Sequence, residues 1–246
     1  MRSSSGKPQT LSIIIPCYNE AATVAKVVAK VAATPLPAGW RKEIIVVDDG
    51  SGGETRSALE RLREEEFPAP LRIIYRGRNN GKGAAVKDGL RIAEGDYCLI
   101  QDADLELDPD QYQDLLQPII AGEAEATFGY RVLAANDAPK NAVLFYGGRI
   151  ISLLFNIAFG TKLRDIPCCY KLFPRTCIAA LLEAPSDDFV FDAIEMTYAI
   201  NRECSVAQVP IAYRPRSRAQ GKKIRIKHGL RCAIAIVLLR LGLVRK

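Results

Sequence analysis

The chain has 246 residues, of which 48% are hydrophobic, and this suits one large domain or two small ones with a sizeable core. Its seven cysteines contain no CxxC pair and suit neither a disulfide framework nor a zinc ribbon, and its single histidine excludes His-rich metal sites. The net charge of +6 is uneven, because residues 214–246 carry eleven Lys and Arg and no acid, whereas the preceding body holds 23 basic and 28 acidic residues.

The first hundred residues alternate between strand-like and helix-like segments. Apolar, β-branched runs predict four strands, at residues 11–15, 43–47, 71–75 and 97–100. Helical patterns follow the first three, at residues 21–33, 54–66 and 82–93. A fourth helix is predicted to begin with Asp108 as N-cap and Pro109 at its first position. This order predicts an α/β fold, a mostly parallel sheet with helices on both faces.

The alternation stops after Tyr130. Residues 142–160 predict a helix with an apolar face, residues 175–201 two helices and residues 205–213 a late strand. We therefore expect the second half to be added to the sheet without continuing it. No apolar run reaches the ~20 residues that span a bilayer, and the polar N-terminus lacks the apolar segment of a signal peptide.

Each predicted strand is followed by a polar turn, and the turns read "PCYNE", "DDGS", "NNGKG" and "DADLE". In an open parallel sheet such turns lie along one edge and form a binding crevice, although Asn, Asp and Gly also suit ordinary turns. The carboxylates of "DADLE" follow a buried strand, where their repulsion needs a cation or hydrogen-bond donors. Mg²⁺ typically takes one or two protein carboxylates and completes its shell with water and phosphates, which points to a nucleotide diphosphate.

Other phosphate-binding and catalytic motifs do not fit. "GRNNGKG" is one residue too short for a Walker A loop and has Gly83 in place of the Ser or Thr. The first turn contains no glycine, which excludes a dinucleotide fingerprint. A Ser-His-Asp or Cys-His site would have to use His228 in the basic tail.

At this point the chain resembles the inverting family 2 glycosyltransferases of GT-A fold, in particular the polyprenyl-phosphate (dolichol-phosphate) mannosyl- and glucosyltransferases. The resemblance covers roughly residues 11–231. It rests on six motifs in the family's order: "SIIIPCYNE", "EIIVVDDGS", "NNGKGAAVKDGL", "GDYCLIQDADLELDP", "RDIPCCYKLF" and "VPIAYRPRSRAQGKKI". The chain departs from the family in having "GYR" for the common "GSR", and Glu106 where mannosyltransferases often have Gln.

The resemblance implies a donor site for a GDP- or UDP-sugar. Its nucleotide-sugar-binding residues would be Pro16, Tyr18, Glu20, Val47, Asp48, Asp49, Lys82, Asp102, Ala103, Asp104, Arg216 and Lys222. Of the Asp pair, Asp49 is the one favoured to hold the base or ribose. Asp104 and Glu106 would ligate Mg²⁺ or Mn²⁺ between the two phosphates, and Arg216 and Lys222 would close over the diphosphate.

The resemblance also implies an acceptor site for a polyprenyl phosphate. Arg131 would meet the acceptor phosphate with help from Arg149, and Asp165 would organise this side. The implied catalytic residues are Asp102, Asp104, Arg131 and Asp165. Because a phosphate acceptor is already anionic near neutral pH, it needs positioning and no general base.

The sequence therefore predicts a metal-dependent hexosyltransferase that is peripheral at the cytoplasmic face of a membrane. We expect a disordered tail at residues 1–10, a catalytic domain at 11–228 and a basic amphipathic helix at 229–246. The apolar-faced helices would reach the membrane, or pack on the body or on a membrane-protein partner. Two alternatives stay open: a hydroxyl acceptor with Asp165 or Asp188 as base, and a silent domain that binds nucleic acid or anionic lipid. The prediction of a polyprenyl-phosphate hexosyltransferase includes no nucleic-acid partner.

Overall fold

The structure is a computed structural model that describes residues 8–133, 142–216 and 226–243. Its strands are β1 (Gln9–Cys17), β2 (Trp40–Asp48), β3 (Leu71–Tyr75), β4 (Tyr97–Ile100), β5 (Ala126–Val132), β6 (Lys171–Pro174) and β7 (Val206–Ala212). Its α-helices are α1 (Val24–Ala33), α2 (Gly53–Glu64), α3 (Lys82–Ile92), α4 (Tyr112–Ile120), α5 (Ala142–Phe159), α6 (Ile178–Leu182), α7 (Met196–Glu203) and α8 (Ile226–Arg240). A π-helical turn, Phe191–Glu195, leads into α7.

Within the described ranges the strands form one seven-stranded sheet in the order β3-β2-β1-β4-β6-β5-β7. β1 lies parallel to both β2 and β4, β3 lies parallel to β2, and β7 lies parallel to β5. β6 runs antiparallel to both of its neighbours, β4 and β5. The predicted α/β class with a mostly parallel sheet is confirmed.

The expectation that the second half would not continue the sheet was wrong, because β5, β6 and β7 extend it beyond β4. β5 contains Gly129, and β6 has four residues and ends at Pro174, so neither shows a strong strand pattern. The glycine is required by packing, because a Cβ there would lie 2.7 Å from a side-chain carbon of Ile211.

Helices cover both faces of the sheet, and the side chains of β1 show how the core divides. Leu11, Ile13 and Ile15 pack on one face with residues of α1, α2 and α4. Ile14 packs on the other face with residues of α3 and of α5 to α8. This alternation is the two-residue period of a strand that is buried on both faces.

Glu43 connects β1, β2 and β3 at the edge of the sheet opposite the polar turns. Its carboxylate accepts hydrogen bonds from the Ser12 hydroxyl and from the backbone N–H of Glu94, and it forms an ion pair with Arg72. Burial raises the pKa of Glu43, but these hydrogen bonds and the Arg72 charge outweigh it, so the pKa lies below its usual value. This carboxylate therefore stabilises the fold in its ionised form.

Helices α5 and α8 pack against each other on the second face of the sheet. In the part of the chain that the structure describes, no helix is both long and apolar enough to cross a membrane. β1 begins at Gln9 and α8 at Ile226, two and three residues before the domain boundaries expected from sequence. All seven cysteines lie in the described ranges and are free thiols.

Candidate active site

The polar turns after β1, β2, β3 and β4 meet at one cavity of about 470 Å³ at the carboxyl ends of these strands. The turn after β1 contributes Tyr18 and Glu20, the turn after β2 contributes Asp49, and the turn after β4 contributes Asp102 and Asp104. A cavity of this size holds a small-molecule ligand. The edge-of-sheet location predicted from the parallel topology is therefore the location of the site.

Asp49 organises the side of the cavity next to β3. It is 2% exposed, and its two carboxylate oxygens accept hydrogen bonds from the backbone N–H groups of Asn80 at 3.0 Å and Gly81 at 2.9 Å. Burial raises the pKa of Asp49, although these hydrogen bonds and the Arg76 guanidinium oppose the shift. Gly50 follows in a left-handed conformation, with φ of +70°, where a Cβ would meet the backbone of Arg78.

Lys82, at the start of α3, connects the half-buried carboxylate of Asp102 with the fully buried one of Asp192. Its Nζ lies 2.6 Å from Asp102 Oδ1 and 2.9 Å from Asp192 Oδ2. Burial alone would lower the pKa of Lys82, but the charges of both carboxylates raise it well above its usual value. Lys82 in turn keeps the pKa of Asp102 below its ordinary value against the effect of burial. Lys82 thereby links the turn after β4 to the π-helical turn.

Arg216 occupies the centre of an acidic cluster formed by Glu20, Asp104 and Glu106. Its Nη2 lies 2.7 Å from Asp104 Oδ2, its Nη1 lies 2.9 Å from Glu20 Oε2, and its backbone N–H donates to Glu106 at 2.8 Å. Tyr213 supports the arrangement, since its hydroxyl donates to Glu106 Oε2 at 2.8 Å. The segment after β7 is thereby attached to the turn after β4.

The acidic cluster carries the charge that a divalent cation needs. Burial and the neighbouring charges of Asp102 and Glu106 raise the pKa of Asp104 to about 7, and Arg216 only partly opposes this. No group of three or more His, Cys, Asp or Glu side chains in the described residues is arranged to hold a metal. Asp104 and Glu106 nevertheless fit Mg²⁺ or Mn²⁺, because such ions use one or two carboxylate oxygens and take other ligands from phosphates and water.

Arg131, from the end of β5, also lines the cavity. Its guanidinium forms a two-point ion pair with Asp165, with N–O distances of 2.7 and 2.8 Å, and its backbone N–H donates to the same carboxylate. The Tyr213 ring lies 5.1 Å from the guanidinium carbon. Burial raises the pKa of Asp165, but Arg131 outweighs it and keeps that pKa below its usual value. Arg131 is thus held rigidly as a cation.

The structure brings together most of the residues implied by the resemblance. Pro16, Tyr18, Glu20, Asp49, Lys82, Asp102, Ala103, Asp104, Glu106, Arg131 and Arg216 all line the cavity. Lys222 lies outside the described residues. Cys169 also lines the cavity, but burial raises the pKa of its thiol well above the usual value, as expected of an inert packing residue.

Four of the predicted residues do not line the cavity. Val47 is fully buried in the core beneath α3, and Asp48 is fully buried with its Oδ1 accepting from the Ser51 N–H. Asp165 does not line the cavity but pairs with Arg131, which does. Arg149 is exposed on α5, with its guanidinium 5.0 Å from the Phe145 ring centre.

Several residues in or next to the cavity were not singled out from the sequence. Asp192 is fully buried in the π-helical turn, far along the chain from Lys82, and no local pattern marks it. Tyr213 stands inside the quoted "AYRPR" motif, where its position beside the arginines was the available signal. Phe189, His228 and Arg231 complete the wall next to α8.

The fold and the site define a GT-A glycosyltransferase architecture. Glucosyl-3-phosphoglycerate synthase from Mycobacterium tuberculosis, solved with Mn²⁺, UDP and glucosyl-3-phosphoglycerate, matches with a TM-score of 0.68 and 20% identity over 95% of this chain and 80% of that one. The same synthase solved with Mg²⁺ and UDP also gives a TM-score of 0.68, at 20% identity over 95% of this chain and 80% of that one. The GT-A prediction is confirmed.

The chain belongs to glycosyl transferase family 2, whose family profile matches residues 12–182. An undecaprenyl-phosphate 4-deoxy-4-formamido-L-arabinose transferase from Pseudomonas fluorescens is 30% identical over 71% of this chain and 50% of its own length. A dolichyl-phosphate beta-glucosyltransferase from Saccharomyces cerevisiae is 27% identical over 82% of this chain and 66% of its own length. The chain thus spans about half the length of the first of these relatives and about two thirds of the second.

Proposed function

We propose that the protein is an inverting hexosyltransferase that moves a sugar from a GDP- or UDP-sugar to a polyprenyl phosphate. The observation that carries this proposal is that one cavity joins the acidic cluster around Arg216 to the guanidinium of Arg131. The first end suits a metal-bound diphosphate and the second suits an anionic acceptor. The names of the relatives, which act on undecaprenyl and dolichyl phosphates, support this acceptor class.

At the donor end, Tyr18 and Asp49 border the space for the nucleotide. Asp104 and Glu106 would hold Mg²⁺ or Mn²⁺, as their oxygen donors allow. The bound metal ion would supply positive charge where the diphosphate leaving group becomes more negative. Arg216 would move from the carboxylates to the diphosphate and stabilise the same charge. Lys82 would keep Asp102 ionised and oriented toward the sugar or ribose.

At the acceptor end, Arg131 would bind the acceptor phosphate and align one of its oxygens for attack on the anomeric carbon. The two-point ion pair with Asp165 fixes the guanidinium before the substrate arrives, which reduces the cost of ordering it. No proton has to be removed from a phosphate that is already ionised. Attack from the side opposite the diphosphate would invert the anomeric configuration.

The lipid acceptor calls for contact with a membrane, and helices α5 and α8 offer a surface for it. Large apolar side chains are exposed along both, including Ile157 at 73% and Leu230 at 65%. α8 contains Lys227, Arg231 and Arg240 and no acidic residue. We infer that this surface rests on an anionic bilayer, because apolar side chains flanked by cations favour that interface. The free thiols are compatible with the cytoplasmic face.

A hydroxyl acceptor is the second candidate, and one residue favours it. Asp188 lines the cavity and carries a carboxylate that could remove a proton from a hydroxyl group. Asp188 also forms an ion pair with Arg231, so its carboxylate is already engaged by a cation. We therefore place this candidate second.

The test incubates purified protein with Mn²⁺, a short polyprenyl phosphate and a panel of GDP- and UDP-hexoses, and searches for a lipid-phosphate-hexose by mass spectrometry. Asp104→Ala should abolish the product, whereas Asp114→Ala, which changes an exposed carboxylate on α4, should not. Release of free hexose without lipid product would favour a hydroxyl acceptor. Inactivity of the wild-type protein with every donor would refute the proposal.

A further inference from the structure

Helix α8 forms part of the cavity wall as well as the exposed apolar surface. His228 and Arg231, which lie on neighbouring positions of this helix, both line the cavity. The Arg231 guanidinium forms an ion pair with Asp188, and the His228 ring centre lies 6.1 Å from that of Phe189. Helix α8 therefore contributes side chains directly to the wall of the cavity.

Exposed apolar side chains follow Arg231 along α8 in the direction away from the cavity. We call Ile234 and Leu238 the apolar row of α8. Ile234 and Leu238 follow Arg231 at helical spacings of three and seven, which places all three on one side of the helix. The exposed fractions of Ile234 and Leu238 are 51% and 38%. α5 packs beside α8 and exposes Ile150, Leu153, Leu154 and Ile157. A molecule with an anionic head at Arg231 could thus lay an apolar chain along these two helices.

The ion pair of Arg231 with Asp188 can exchange readily. The Arg231 side chain is 61% exposed, and an ion pair with so exposed a cation contributes little to stability, even though the paired oxygen of Asp188 is buried. A phosphate monoester offers a guanidinium two oxygens and a larger negative charge than a carboxylate does. Arg231 would therefore favour an incoming phosphate over Asp188.

We propose that Arg231 is the entry site for the phosphate of the lipid acceptor, which reaches the cavity from the bilayer along the apolar row of α8. The phosphate replaces Asp188 as the partner of Arg231 and then moves inward to Arg131. His228 lies beside this path. The proposal rests on the proposed polyprenyl-phosphate acceptor and assigns Arg231 as a second cation that selects it.

Binding of farnesyl phosphate, measured by isothermal titration calorimetry without donor, tests the proposal. Arg231→Gln should weaken binding about tenfold, the effect of losing one charge-assisted contact to a phosphate. Arg231→Lys keeps the positive charge and should therefore weaken binding less than Arg231→Gln does. Arg240→Gln is the matched control, since it removes the same charge from α8 about 13 Å further along the helix. Asp188→Asn should tighten binding, because it removes the competing carboxylate. Inorganic phosphate should bind much more weakly than farnesyl phosphate, and GDP and UDP should bind all variants equally.

Three results would overturn the proposal: no binding of farnesyl phosphate to the wild-type protein, equal effects of Arg231→Gln and Arg240→Gln, or an equal loss of nucleotide affinity in Arg231→Gln. Failure of the proposed function would look different. Farnesyl phosphate would then bind in an Arg231-dependent manner, but no donor would yield a lipid-phosphate-hexose. Conversely, transfer to lipid with no dependence of farnesyl phosphate binding on Arg231 would refute only the entry site.

Discussion

Replacing Arg216 with glutamine should tighten metal binding in the absence of nucleotide. The guanidinium lies 2.7 Å from Asp104 Oδ2 and 2.9 Å from Glu20 Oε2, so Mn²⁺ must displace it to reach Asp104. A hydrogen bond to a charged group contributes about 1.5–3 kcal/mol. Removing the need to break the one to Asp104 should therefore lower the dissociation constant of Mn²⁺ roughly tenfold to a hundredfold.

The sign should reverse when a nucleoside diphosphate is present. Arg216 is then expected to contact the diphosphate, so Arg216→Gln should weaken the binding of Mn²⁺ together with GDP or UDP. Calorimetric titration of Mn²⁺ with and without nucleotide measures both effects, and Arg214→Gln, an exposed arginine two residues away, controls for net charge. An Mn²⁺ affinity of Arg216→Gln that equals or falls below that of the wild-type protein without nucleotide would refute the reasoning.

Three further predictions concern the stability of the scaffold, each measured by urea unfolding. The pKa of Glu43 is lowered in the folded state. Its contribution of about 1.5–3 kcal/mol to the free energy of unfolding is therefore present above the unfolded pKa of about 4.3 and is lost as the pH falls through the lower folded value. The free energies of unfolding of Glu43→Gln and wild type should thus converge in acid. A failure to converge would contradict this. Gly50→Ala should cost about 1–3 kcal/mol, because a Cβ there lies 2.4 Å from a backbone carbon, while Gly53→Ala, where nothing lies within 4 Å, should not destabilise. Asp192→Asn should lower the free energy of unfolding by about 3 kcal/mol, the lower end for a broken buried pair, because Lys82 keeps Asp102 as its second partner. An unchanged free energy of unfolding would show that the pair of Lys82 with Asp192 does not stabilise the protein.

The first half of the fold and the floor of the site could be predicted because their signals are local. β3 and β4 occupy the predicted residues, and the acidic turn after β4 lies at the predicted edge of the sheet. The carboxylates of "DADLE" could be recognised because acidic residues after a buried strand repel one another unless a cation or hydrogen-bond donors are present. β6 could not be predicted, because its four residues show no strand pattern of their own and form a strand by pairing with β4 and β5.

The remaining site residues depend on contacts between distant parts of the chain. Asp192 meets Lys82 across 110 positions of sequence, and the spacing of neither residue indicates the other. Within the Asp pair, the resemblance favoured Asp49, and Asp49 is the one that lines the cavity and binds the next loop. Asp48, the last residue of β2, is fully buried.

A common arrangement of charge connects the two ends of the cavity. Four cations that line it each face a carboxylate: Lys82 faces Asp102, Arg131 faces Asp165, Arg216 faces Asp104, and Arg231 faces Asp188. An unpaired cation inside the cavity would be costly, so the pairs of Lys82, Arg131 and Arg216 stabilise the protein before substrates bind, whereas the exposed pair of Arg231 contributes little. Substrate phosphates must then compete with carboxylates that are already in place. We therefore expect a substrate phosphate to displace the carboxylate most readily at Arg231, whose side chain is 61% exposed, and least readily at Arg131, which is held by a two-point pair.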